Sequence, residues 1–71
     1  MIVYFQNSKG ESRKIGAAAN YEEAWTIIDN FLKEHNYKPN YIRTWEEDNK
    51  HYYDVGSHTE FFYTEGQNEL Y

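Results

Sequence analysis

Between Asn20 and Asn36 the chain offers one apolar stripe of helical period, and nothing elsewhere repeats that pattern. Ala24, Ile27, Ile28, Phe31 and Leu32 recur at i, i+3, i+4, i+7 and i+8, while Glu22, Thr26, Asp29, Asn30 and Lys33 fall on the other side. Asn20 stands three residues ahead of Glu23, so an N-cap acceptor precedes a carboxylate that can reach back, and Glu22 and Glu23 suit the positive end of the helix dipole. Pro39 disfavours helical geometry at Lys38 and Asn36 can take a left-handed C-terminal position, so the helix should end near Asn36. A single helix must bury its stripe on something else, and strand-like segments on both sides supply it.

Ile2-Val3-Tyr4-Phe5 is β-branched and aromatic and is followed at once by Asn7-Ser8-Lys9-Gly10, which predicts a strand and a tight turn. Arg13–Ala17 either pairs back as a short strand or leads irregularly into the helix. Asn40–Glu46 and His51–Val55, joined by the polar turn Glu47-Asp48-Asn49-Lys50, predict a hairpin, and Glu60–Thr64 resumes strand character. The order β(β)αβββ points to the α+β class: a small antiparallel sheet of three to five strands with one helix packed on one face. Residues 1–71 form a single domain in this reading, with 66–71 a fraying tail.

At 71 residues such a domain hides only about 60% of the surface its open chain exposes, which leaves little room for a large substrate cleft. There is no cysteine, hence no disulfide frame or thiolate chemistry. No run is long and apolar enough to span a membrane, and Met1–Phe5 is too short for a secretory leader, so the expectation is a cytosolic protein without membrane contact. The charge is uneven. Residues 46–71 carry Glu46, Glu47, Asp48, Asp54, Glu60, Glu65 and Glu69 against Lys50 alone, which disfavours direct contact with nucleic-acid phosphates and favours a basic protein surface or a bound cation.

One helix covers one face of a sheet, and the alternate side chains of the strands must meet solvent or a partner. Tyr41, Arg43 and Trp45 share one face of their strand; His51, Tyr53 and Val55 oppose Tyr52 and Asp54 in the next, and either set can face inward. Tyr, Trp and Arg dominate binding hot spots, so Tyr41, Trp45 and Tyr53 are candidate anchors, with Arg43 beside them and Glu46, Glu47, Asp48, Asp54 and Glu60 as the charged contacts. Asp54-Val55-Gly56-Ser57-His58-Thr59-Glu60 is the densest polar cluster. His51, Asp54, His58 and Glu60 are acceptable metal ligands by type, but their spacing matches no known ligand pattern. Asp54, Ser57 and His58 lie too close together to align as a hydrolytic triad. A structural corner turning at Gly56 is the favoured reading, with recognition by His58 and Glu60 as the alternative. No catalytic residue, metal or cofactor is expected.

Tyr21-Glu22-Glu23-Ala24 leading into Ile27-Ile28-x-x-Phe31-Leu32, then Tyr41-x-Arg43-x-Trp45, then Asp54–Phe62 resemble small accessory proteins encoded by phages and prophages of Gram-positive bacteria, over residues 20–63. The resemblance carries no catalytic residue. It implies a cytosolic phage protein that binds and blocks a host protein, such as a nucleic-acid-handling defence enzyme, in the manner of acidic anti-CRISPR proteins. The other expectations from the residues are a small-ligand or metal-binding module around Asp54, His58 and Glu60, and a homodimer without activity of its own.

Overall fold

The computed structural model describes residues 1–39, 41–57 and 59–66. Two strands, β1 (Ile2–Gln6) and β2 (Ser12–Ala17), precede a helix, α1 (Tyr21–Glu34), and three strands follow, β3 (Arg43–Glu47), β4 (Lys50–Asp54) and β5 (Phe61–Glu65). The α+β class holds, with one helix on an antiparallel sheet of five strands. In space the strands run β2-β1-β5-β4-β3, so the chain's last strand fills the centre and β2 and β3 are the edges.

Local chemistry explains the boundaries. Asn7 closes the β1–β2 turn: its Oδ1 accepts from the N–H groups of Lys9 at 2.9 Å and Glu11 at 3.0 Å, and Gly10 takes a φ of 83°. At the start of α1, Asn20 Oδ1 accepts from the Glu23 N–H at 2.9 Å, and Glu23 Oε1 accepts from the Ala19 N–H at 2.8 Å. The reciprocal cap therefore reaches one residue further back than the usual box. Asn36 takes a φ of 55°, its N–H bonds to Lys33 O, and the Tyr37 N–H bonds to Leu32 O at 2.9 Å, the paired closure of a Schellman motif. Tyr37 then donates its hydroxyl to Val55 O at 3.1 Å and ties this exit to the residue that follows β4 (Lys50–Asp54).

The hairpin β3–β4 turns on Asp48 and Asn49, both left-handed at φ 54° and 64°, as a two-residue primed turn requires. The pairing runs from Glu47–Lys50 at the turn to Arg43–Asp54, so β3 begins at Arg43, and Tyr41 and Ile42 lie outside the strand expected from Asn40. Asn40 itself, His58 and the tail beyond Gly66 lie outside the described residues. Arg13–Ala17 does pair back, within β2, but the register shifts between Val3 and Tyr4, a bulge at Ile15.

Val3, Ala24, Ile28, Leu32, Tyr53, Val55 and Phe62 form the core between α1 and one face of the sheet. The helix crosses diagonally: Tyr21 meets His51 and Trp25 meets Tyr53 at its start, while Phe31 meets Phe5 and Phe62 at its end. Midway, Gly16 lets Ile27 sit directly on β2; a Cβ there would lie 2.9 Å from Ile27 Cδ1. Glycine was a poor residue for a strand by propensity, and close helix packing is why it stands here.

Candidate interaction face

With α1 on one side, the other side of the sheet carries Tyr4 from β1, Phe61 and Tyr63 from β5, Lys50, Tyr52 and Asp54 from β4, and Arg43, Trp45 and Glu47 from β3. The registers place Tyr4 beside Tyr63, Tyr63 beside Tyr52, and Tyr52 beside Trp45, so four rings form one row across four strands. Their centroids are 5.0, 5.5 and 5.3 Å apart along the row, near the spacing of neighbouring strands. Tyr4 stacks on Tyr63 and Tyr52 on Trp45, with 22° and 10° between their planes, while Tyr52 and Tyr63 meet tilted at 46°. The guanidinium of Arg43 lies 5.3 Å from the Trp45 ring centre and Lys50 Nζ lies 5.2 Å from that of Tyr63. The faces of these rings are thus engaged within the molecule, which makes the row a poor platform for flat nucleobases.

Polar groups lock the row in place. Tyr63 donates its hydroxyl to Ser12 Oγ at 2.8 Å, bridging to the edge strand β2. Arg43 donates to Asp54 Oδ2 at 2.9 Å, while Asp54 Oδ1 accepts from the Gly56 N–H at 3.0 Å, so this carboxylate is both paired and used to turn the corner. Ser57 Oγ accepts from the Glu60 N–H at 3.2 Å, and with Gly56 at a φ of 96° the segment is built as a structural corner.

The structure divides the expected site residues into three groups. Arg43, Trp45 and Glu47 lie on the outer face, and Glu46, Glu47 and Asp48 ring the exposed hairpin tip with Tyr41 half exposed just before β3. Tyr53 does not serve as a surface anchor: it is 4% exposed, under Trp25, on the helix side of β4. Asp54 is 3% exposed and committed to Arg43, so it is not a free acidic contact. Glu60 lines a groove of about 660 Å³ on the helix side, with Phe5, Phe31, Phe62, Arg13 and His35. Asp54 and Glu60 therefore serve opposite faces, and the small-ligand cluster of Asp54, His58 and Glu60 does not form around these two; His58 lies outside the described residues. Among the described residues no three His, Asp or Glu side chains gather as a metal site. The partners that sequence reading passed over are Tyr4, Tyr52, Phe61 and Tyr63; their period-two alternation was visible, but the face they share depends on register.

Beneath α1 a second polar contact reaches the margin. His51 Nδ1 lies 3.6 Å from Glu46 Oε2, and Tyr21 packs on the His51 ring at 4.6 Å. Burial, then the Glu46 charge and its hydrogen bond, push the Tyr21 phenol above its ordinary pKa. Burial pushes the Tyr53 phenol up to about 12, helped by Tyr21, and its buried hydroxyl has no hydrogen-bond partner among the described residues. A phenol that holds its proton longer when folded costs stability once the unfolded chain ionises, so stability should fall as pH rises from about 10 to about 12. Tyr53→Phe should flatten that alkaline loss and, by removing an unpartnered hydroxyl, gain about 1 kcal/mol at neutral pH. Urea midpoints at pH 8 and 11 check both; an unchanged alkaline slope would assign the loss elsewhere.

Comparison with protein-family models, curated proteins and solved structures finds no match to this chain. Among the described residues no helix is long and apolar enough to cross a membrane.

Proposed function

We propose that this chain is a non-enzymatic binding protein that docks on a basic surface of a protein partner and blocks it sterically. The observation that supports it best is the juxtaposition at the β3–β4 hairpin: Glu46, Glu47 and Asp48 stand exposed at the tip, directly beside Trp45 and Arg43 on the uncovered face. Acidic residues there steer the encounter, and an aromatic and a guanidinium group next to them supply contact area. Tyr41, 52% exposed, extends the apolar part of that margin. The resemblance read from residues 20–63 suggests the setting: a phage-encoded accessory protein in the bacterial cytosol whose partner is a host defence nuclease, inhibited in an anti-CRISPR-like way.

Reversing Glu46, Glu47 and Asp48 together to lysine tests it. Tagged protein is used to capture partners from nuclease-treated host lysate, and the captured protein is then titrated calorimetrically at two salt concentrations. The triple reversal should weaken binding about tenfold or more and remove its salt dependence, because the charges act through screened attraction. Equal affinity of both proteins at both salt concentrations would overturn the electrostatic mode.

A further inference from the structure

The edge strand β3 is self-complementary, and we infer that it pairs antiparallel with the β3 of a second copy. The two-residue turn at Asp48 and Asn49 makes Glu47–Lys50 a hydrogen-bonded pair, as are Trp45–Tyr52 and Arg43–Asp54 in alternation. Thr44 and Glu46 therefore aim their backbone N–H and C=O groups away from β4, out of the edge. Two such edges related by a two-fold axis at Trp45 set Thr44 opposite the second copy's Glu46, twice, and Trp45 opposite itself. In that register Arg43 falls opposite the second copy's Glu47, also twice, so unlike charges meet on the outer face. Shifting by two residues instead sets Arg43 opposite Trp45 and loses both charge pairs.

The same register joins the two rows of rings. Trp45 ends the row in one copy, and its counterpart would begin the next, so Tyr4, Tyr63, Tyr52 and Trp45 would continue without a break across the eight strands that carry them. A second copy is thus matched to this edge in hydrogen bonding, charge and stacking at once. Pairing through β3 engages Arg43, Trp45 and Glu47 and leaves Asp48 at each tip and the rest of both outer faces open, so this inference goes beyond partner docking and does not rest on it.

A five-residue edge contact is small, and the dimer should be concentration dependent, with mass rising from one chain toward two between about 1 µM and 1 mM. Sedimentation equilibrium of the full chain reads this directly. Glu46→Pro removes an outward N–H that has no partner among the described residues and is compatible with an edge strand, so this variant should keep its circular dichroism and stay monomeric throughout. Glu47→Arg should weaken the dimer about tenfold or more by opposing Arg43 with arginine. A wild-type chain that remains monomeric at 1 mM, or a folded Glu46→Pro variant that dimerises like wild type, overturns the inference; an unchanged Glu47→Arg dimer overturns its register. Because the measurement uses the isolated chain, failure here leaves docking on another protein to its own test.

Discussion

Phe62→Ala is expected to lose most of the stability of the chain, while Phe61→Ala beside it loses little. Phe62 is 1% exposed and sits at the meeting of three rings, 5.3 Å from Phe5 and 5.4 Å from Phe31 by their centroids. Truncating such a side chain costs about 3–5 kcal/mol, transfer and cavity together. On the usual per-residue scale, 71 residues carry only about 4–10 kcal/mol of total stability, so the loss consumes much of it. Phe61 points the other way, half-buried, with its edge toward Trp45 at 6.0 Å. Its truncation should cost about 1–2 kcal/mol. Urea denaturation of the two variants measures the difference, and a lower midpoint for Phe61→Ala than for Phe62→Ala would mean that the two sides of β5 have been assigned the wrong way round.

The second large effect is expected at Asp54. Asp54→Ala should cost about 2–3 kcal/mol, because a buried acceptor of one charged and one backbone donor is lost and the Gly56 N–H is left without its partner. Asp54→Asn retains an oxygen for that N–H and should lose only about 1 kcal/mol. The comparison separates the corner from the ion pair: if both variants fall equally, the Arg43 charge matters and the corner does not. An Asp54→Ala variant as stable as wild type would remove both.

The helix was legible almost to the residue because everything that determines it is local. Asn20, Glu23, the five stripe residues and Asn36 interact within a few positions of one another, and each acts in the folded chain as its type suggests. The corner at Gly56 was legible for the same reason. The faces of the strands were not. In β4 both alternating sets contain a tyrosine, and what assigns Tyr53 to the core and Tyr52 to the outside is pairing with β5 and the placement of Trp25, both remote in sequence. Asp54 read as one more surface acid because nothing adjacent to it announces that Arg43, eleven positions earlier, will lie directly opposite. The spatial order of the strands, with β5 between β1 and β4, is nonlocal in the same sense.

The bulge at Ile15 makes the two rims of the sheet unlike each other. On β2 the extra residue breaks the even spacing of donors and acceptors and bends the strand, and Lys14 places a charge beside it, so that rim resists a new strand. The rim at β3 keeps a regular register, and the inferred pair would form there. A sheet with two receptive rims would add copies without end and grow into fibres, whereas a sheet with one receptive rim stops at a closed pair. In a chain so rich in strand-forming aromatics, the irregularity at Ile15 would then separate finite assembly from aggregation.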